Sequence, residues 1–583
     1  MPHNTITSAD VRRAAETLKK YKAAKASLER RIVENERWYK LRHWEVLRKN
    51  GADREQPVSA WLFSSLASKH ADAMDAFPVA NVLPREESDR PAAEQLSKVL
   101  PVILERNGFE QTYSDCWWYK LKNGAAVYGV FWDPSLDGGV GDVAVRKLDL
   151  LNVFWQPGVT DIRQSRDLFI VGLKDTDLLA QEYPQLKKDR RGKVIDVKEY
   201  VFDESVSTED KTLVVDWYYK KKQNGKTVLH YCKFAGETLL YASENDDAYA
   251  ERGYYDHGEY PVVFDVLFPE EGTPVGFGYV DVMKDPQAYI DRLSQVILEN
   301  TVMTSKPRFF IRKNAGLNPD EFLDWSKPLV EVEGEPDETK VRQIIAAPVS
   351  NLASTMLQMK INELKETSGS RDFTEGGVRG GVTAASAIIA LQEAGNKVSR
   401  DIISSAYRAY AKIGEMVVEL IRQFYKEARV FRVTGANGIS LTQPSPFSTA
   451  LTAPSSEGAG AACGGAPLAQ DDGNAYGGAS GRAMLVPAES GCAAAQFITF
   501  SNAGLAVREM PAPDGGIWSR KPVFDIRVSA EKKSPFSRME QNELAKELFA
   551  MGFFRAENRD AALTALKMLE FEGKQSVESA LRA

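Results

Sequence analysis

The chain has 583 residues, room for roughly three or four domain-sized units. Hydrophobic residues make up 43% and charged residues 27%, which excludes a disordered tail and supplies material for folded cores. With 74 basic against 81 acidic side chains the net charge is -7, which speaks against a protein built to grip nucleic acid tightly, since neutralising phosphates needs an excess of Lys and Arg.

Residues 8 to about 47 read as one long helix, with Ser8 as the cap and Val11, Leu18, Leu28 and Ile32 on one face. Lys19, Lys20, Lys22, Lys25, Arg30 and Arg31 cover the rest, interleaved with Glu16, Glu29, Glu34 and Glu36 as on a solvated face. Trp38, Tyr39 and Trp44 end the helix with rings that dock on a core. Further helices are predicted over 58–76, stopping before Pro78, over 91–106 and over 109–123.

From Gly124 to about Phe268 the period changes to two. The segments AVYGVFWD, GDVAVRKLDL, LFIVGLKD, TLVVDWYYKKK, TVLHYCKFAG and ETLLYAS alternate apolar and polar residues, which predicts a meandering antiparallel region. Gln223-Asn224-Gly225-Lys226 is its strongest hairpin signal. Gly139-Val140-Gly141-Asp142-Val143-Ala144 matches the dinucleotide fingerprint as a string. It leads into a strand instead of opening a helix, so it reads as a hairpin turn.

In GFGYVDVMKDPQAYIDRLSQVILENTVMTSKPRFFIRK, Asp285 is the expected cap of a helix with Pro286 at its first position, ended by Pro307. Ile290, Leu293, Ile297 and Thr301 make its stripe. Strands over 309–312, 329–332 and 341–345 and a short helix opened by Asn318-Pro319 form a small α/β unit. Pro348 then opens a second helix, to about Glu366, with Leu352, Met356 and Met359 on one face. The Gly-rich run SGSRDFTEGGVRGGV, 368–382, can be neither helix nor strand. A helix of about 42 residues follows, with Thr383 as N-cap and Ile388, Leu391, Val398, Ile402, Ile413, Val417, Leu420 and Phe424 in step. Residues 435–515 are rich in Gly, Ala, Ser and Pro and split a strand pair, VFRVTG and QFITFSN. A strand over 523–530 and short amphipathic helices from Ser537 come last.

Chemistry-bearing patterns are missing. There is no Walker-type phosphate loop, HExxH or nucleophile elbow, and His3, His43, His70, His230 and His257 never reach metal-ligand spacing. Four cysteines (Cys116, Cys232, Cys463, Cys492) without a CxxC pair exclude a disulfide-stapled scaffold. No basic-plus-apolar leader and no run of about 20 apolar residues is present, so a soluble protein made in a reducing cytoplasm is expected. The expectation is of a protein that is not an enzyme, with no cofactor, no metal and no membrane association.

The chain resembles the portal proteins of tailed double-stranded DNA bacteriophages. The resemblance covers roughly 18–583 and rests on the order of four features. These are the aromatic helix end ENERWYKLRHW, the first stem helix with its Gln-x-x-Ile-Asp-x-Leu pattern, the helix–knob–helix followed by a Gly-rich loop and long helix, and the FDIRVSAEKKSPFSRMEQNELAKELFAMG ending. The Gly/Ala-rich insertion at about 445–495 departs from that pattern.

The resemblance implies an α+β, mostly helical fold: wing, 1–275; stem helix 1, 276–308; clip, 309–347; stem helix 2, 348–367; tunnel loop, 368–383; long wing helix, 384–430; β segment with the insertion, 431–530; crown helices, 531–583. It implies a ring oligomer of twelve subunits at one capsid vertex of the virion, made in the host bacterial cytoplasm. The ring would be a conduit for genome packaging and ejection. Its partners would be double-stranded DNA in the channel, the large terminase subunit, the head–tail adaptor, and the major capsid protein with its scaffold. Ser368, Arg371, Gly376, Gly377, Arg379, Gly380 and Gly381 would line the channel in the tunnel loop. Lys284, Arg292, Lys306 and Arg308 would touch DNA or a neighbouring subunit, and Asn318, Asp320, Asp324, Trp325, Glu331 and Glu333 would meet clip partners. A net acidic chain closed into a ring gives a weakly repulsive bore through which DNA can slide. Two rivals stay open on the residues alone: another virion connector, and a metal-dependent nucleic-acid enzyme with its carboxylates hidden in the β-rich part.

Overall fold

The structure is a computed structural model, and it describes residues 5–47, 56–184, 211–223, 225–305, 308–311, 341–344, 349–369, 397–433, 496–511 and 517–532, with a few isolated positions besides. Contacts divide the chain into a large unit, Met1–Ala428 with Ser501–Ala583, and a small one, Arg429–Phe500.

The large unit begins with α1, Ser8–Tyr39. Its cap is Thr7, not Ser8: the Asp10 carboxylate accepts from both the backbone N–H and the hydroxyl of Thr7. The helix does not run on to residue 47. Leu41 takes a left-handed backbone, φ 59°, and a short α2, His43–Leu47, follows. That break lets Trp38, His43 and Trp44 all point inward, which one straight helix could not do.

α3 (Trp61–Asp75) runs directly into strand β1 (Ala76–Pro84), which the sequence reading missed. β1 pairs antiparallel over nine residues with β16 (Phe524–Lys532) near the other end of the sequence. α4 (Arg90–Arg106) and α5 (Phe109–Asn123) follow as expected, divided by Gly108 with φ 61°.

The alternating region forms two antiparallel sheets. β2 (Ala125–Asp133), β3 (Asp142–Leu148) and β9 (Val262–Val266) pair in the order β3-β2-β9. The Gly139–Gly141 stretch is the turn between β2 and β3, so no phosphate loop exists there. β4 (Val153–Trp155), β5 (Asp167–Asp175), β6 (Lys211–Gln223), β7 (Lys226–Ala235) and β8 (Thr238–Ala242) form a meander in chain order. Gln223 faces Lys226 across the hairpin, as the Asn-Gly signal predicts. Period-two burial decides the packing: Leu213 and Val215 of β6 join Val11, Ala14 and Leu18 of α1 on one face. Val214 turns to the other face, against Leu179 of α6 (Thr176–Glu182).

α7 spans Tyr279–Ser305 and so begins well before Asp285, with Pro286 inside it. An interior proline costs a helix about 3 kcal/mol or more. Here Tyr279, Val280 and Met283 are buried ahead of it, and that burial outweighs the cost. β10 (Arg308–Ile311) pairs with β11 (Val341–Ile344), and α8 covers Asn351–Ser368. Ser350 caps α8, accepting from Leu352 N–H at 3.2 Å; Pro348, the expected opening, lies outside the described residues. α9 spans Lys397–Phe424; the helical start expected from Thr383 and the strand expected over 329–332 lie outside the described residues. β14 (Arg508–Pro511) and β15 (Ile517–Arg520) form a hairpin before β16.

In the small unit β12 (Arg429–Val433) pairs antiparallel with β13 (Gln496–Phe500), the strand pair expected to flank the insertion. The insertion itself and the helices expected after Ser537 fall largely outside the described residues.

Candidate functional site: an exposed helical hairpin

α7 and α8 pack side by side, and β10 and β11 form a small ladder beyond their ends. The base of this hairpin is firmly set. Ile290 of α7 and Leu364 of α8 are buried, α8 packs on α3, and the Lys365 ammonium lies 5.4 Å from the Trp61 ring centre. At the start of α7, Asp281 accepts from Gly278 N–H at 3.0 Å and from Asn35 of α1 at 3.1 Å.

Beyond Asp291 the character changes. No residue of α7 from Arg292 to Ser305 is buried, and none of α8 before Leu364 is. Tyr289 (52% exposed), Val296 (54%) and Met303 (61%) recur every seven residues along α7. On α8, Leu352 (65%) and Met359 (60%) repeat the same step. Leu298, Val302, Met356 and, on β10, Phe310 add further exposed apolar surface. The two helices hold each other through a seam of half-buried residues and a hydrogen bond from Val349 N–H to the Asn300 side-chain oxygen at 3.1 Å. A pair of helices this long, with apolar rows on the outside, is not a self-sufficient core.

The residues expected to act here are placed as follows. Lys284 is half-buried on the first half of α7, and its ammonium sits 3.4 Å from Glu34 and 3.8 Å from Asp281. Arg292 is exposed one position past the buried base, with no described carboxylate paired to it. Arg308 opens β10 opposite Ile344. Asn318 and Asp320 are exposed, and the Asn318 side chain accepts from Asp320 N–H at 3.2 Å. Ser368 is buried at the end of α8, where its hydroxyl donates to the Lys365 carbonyl at 2.8 Å. Gly369 closes the helix with φ 70°. Arg371, Gly376, Gly377, Arg379, Gly380, Gly381, Lys306, Asp324, Trp325, Glu331 and Glu333 lie outside the described residues.

Sequence reasoning missed a polar cluster under the hairpin. The Asp291 carboxylate lies 2.6 Å from His43 Nδ1 and also accepts from Ser59 N–H (3.3 Å), the Ser59 hydroxyl (3.2 Å) and the Gln287 amide (3.0 Å). His43 Nε2 faces the Trp38 carbonyl at 3.0 Å. Gln287 donates also to the Ser59 carbonyl at 2.9 Å and accepts from Leu62 N–H at 3.2 Å. His43, Gln287 and Asp291 are all buried. The one sequence signal was the Gln-x-x-Ile-Asp spacing, which puts Gln287 and Asp291 one turn apart.

Among the described residues no group of His, Cys, Asp and Glu is placed to hold a metal, and no helix is long and apolar enough to cross a membrane. Cys116 and Cys232 are buried free thiols, and burial raises the pKa of both, the opposite of an activated nucleophile. The distinctive surface is therefore the hairpin. No curated protein matches the chain. A family model described as Phage P22-like portal protein matches residues 75–445.

Proposed function

Because this chain belongs to the phage P22-like portal protein family, and so is a structural component of the capsid vertex, we propose that it acts as one subunit of a closed ring whose bore carries the genome in and out. The observation that carries this reading is the unburied pair of apolar rows on the α7–α8 hairpin, Tyr289-Val296-Met303 and Leu352-Met359. Closed symmetry gives each row a partner in the next copy and leaves none over. Twelve copies is the number the family resemblance suggests.

In this arrangement α7 and α8 are the stem, and the chain between them, of which β10 and β11 are the described part, is the clip. The clip would meet the terminase while DNA enters and the head–tail adaptor afterwards. The net charge of -7 per copy keeps the bore from holding phosphates, and Arg292 with the arginines after Gly369 supplies transient contacts. Its work is positioning and conduction, with bond-making left to its partners.

Mass photometry and negative-stain microscopy of the purified chain test this. The expected result is a ring with a central hole. The variant V296E/M303E/M359E is expected to remain folded, since all three side chains lie outside the core, and to stay monomeric. A wild-type chain that remains a monomer at high concentration would overturn the reading.

A further inference from the structure

We propose that Gln287, Asp291 and His43 are positioning residues that fix the rotation of α7 about its own axis, and thereby which row of side chains the stem offers to a neighbouring subunit. This rests on the ring reading above and adds to it the part of the chain that sets the geometry of the seam.

The geometry is direct. Side chains advance about 100° per residue around a helix, so Gln287 and Asp291 point much the same way, with their midpoint about 160° from the row formed by Tyr289, Val296 and Met303. One side of α7 is thus a buried polar lock and the opposite side an exposed apolar row. The lock is directional in a way packing alone is not. Asp291 is met by donors from three elements: α2 through His43, the segment before α3 through Ser59, and α7 itself through Gln287. Gln287 in turn holds the first turn of α3 through Leu62. Turning α7 by about 20° would move a side chain roughly 5 Å from the axis by nearly 2 Å, enough to break these bonds and strand a buried carboxylate.

Beyond Asp291 the α7 residues are not buried, so no comparable lock exists farther along the helix among the described residues. Whatever rotation is imposed at Gln287 and Asp291 is carried to Val296 and Met303 by the stiffness of the helix. Buried polar groups of this kind are attested as devices for register and oligomer state even where an apolar replacement is equally stable.

The test separates orientation from stability. In H43L/Q287M/D291L the polar side chains of α2 and α7 are removed together, so no buried charge is stranded, and Ser59 and the Leu62 N–H are the groups that lose partners. The variant should melt within a few degrees of wild type, yet assemble at least tenfold more weakly, or into a mixture of ring sizes, by mass photometry. D291N alone, which keeps an acceptor for Ser59, is expected to give wild-type rings, a rescue that a charge requirement would not allow. If the triple variant does not fold, Q287M decides: it keeps the His43 and Ser59 bonds to Asp291, and the inference predicts a folded chain with a modestly lowered melting temperature and a broadened ring-size distribution. Uniform wild-type rings from the folded variants overturn the inference and leave the ring reading standing. Failure of the wild-type chain itself to assemble overturns both.

Discussion

Lys120 of α5 and Asp265 of β9 form a fully buried ion pair, with ammonium and carboxylate 2.6 Å apart and Ser405 of α9 taking a second ammonium hydrogen bond at 2.9 Å. Burial pushes the Lys120 pKa down, and the Asp265 charge opposes that shift. The pair and its serine join α5, β9 and α9. K120M would leave a buried carboxylate without its partner, so we expect a loss of about 3–5 kcal/mol in chemical unfolding. K120M/D265L should recover most of it. Equal losses in both variants would show that packing, and not the stranded charge, sets the cost.

Lys25 of α1 is buried with its ammonium donating to the Leu150 and Val153 carbonyls and 4.3 Å from the Phe154 ring centre. Desolvation lowers its pKa to about 7, from 10.5 for a free lysine. Between those two values the unfolded chain holds a proton that the folded chain has released. The group's contribution is therefore fully present above pH 10.5 and falls away as pH drops to 7. Unfolding measured at pH 7, 8.5 and 10 should show wild type gaining on K25M by at most about 1.4 kcal/mol per pH unit. A constant difference across the series would refute this.

His257 has the same sign in a lower window. Burial lowers its pKa to about 4, and its Nδ1 accepts from Glu259 N–H at 3.0 Å, which requires an unprotonated nitrogen. Its contribution is present above pH 6.5 and is lost as pH falls through 4. H257N keeps an acceptor without the titration, and we expect it to melt with a flatter acid limb between pH 6.5 and 4. An unchanged limb in thermal melts would rule this out.

Gly276 and Gly278 flank Phe277 just ahead of α7 because the backbone there runs against other backbone. A Cβ on Gly276 would fall 1.6 Å from the Phe268 carbonyl oxygen, and one on Gly278 within 2.7 Å of the Lys122 and Leu121 oxygens. Both neighbours are main chain and cannot swing away. G276A and G278A should each cost at least about 1–3 kcal/mol, G276A more, read as a lower melting temperature. Wild-type melting of G276A would contradict this placement.

Much of the fold was legible in the sequence because local patterns matched what tertiary packing required. The alternation in β5 to β7 was readable since α1 covers one face and α6 the other, and the Asn-Gly turn fixed its register. β1 was not legible: AFPVANVLP has a proline near each end, and its partner strand lies far off in sequence. The start of α7 was misplaced because Pro286 looks like a first position, and only the burial of Tyr279 and Met283 reveals otherwise. At the site, the two helices and their order in the chain were readable, but the stripe expected on α7 faces inward, with Ile290 buried and Leu293 and Ile297 half-buried, and the exposed row is Tyr289, Val296 and Met303. The lock was not, since His43 and Asp291 are 248 positions apart and a lone histidine carries no periodic signal.

The pairing of β1 with β16 has a consequence for how the molecule is made. Arg85 and Asp525, which meet just past the end of that ladder, are separated by 440 positions. A ribosome adding roughly 5–20 residues per second needs on the order of 20 to 90 s to bridge that interval. Throughout it the nascent strand 76–84 has no mate, and its open edge invites sticking to other chains. The ladder can therefore close only after residues 524–532 have been made, so this part of the large unit is completed late in synthesis.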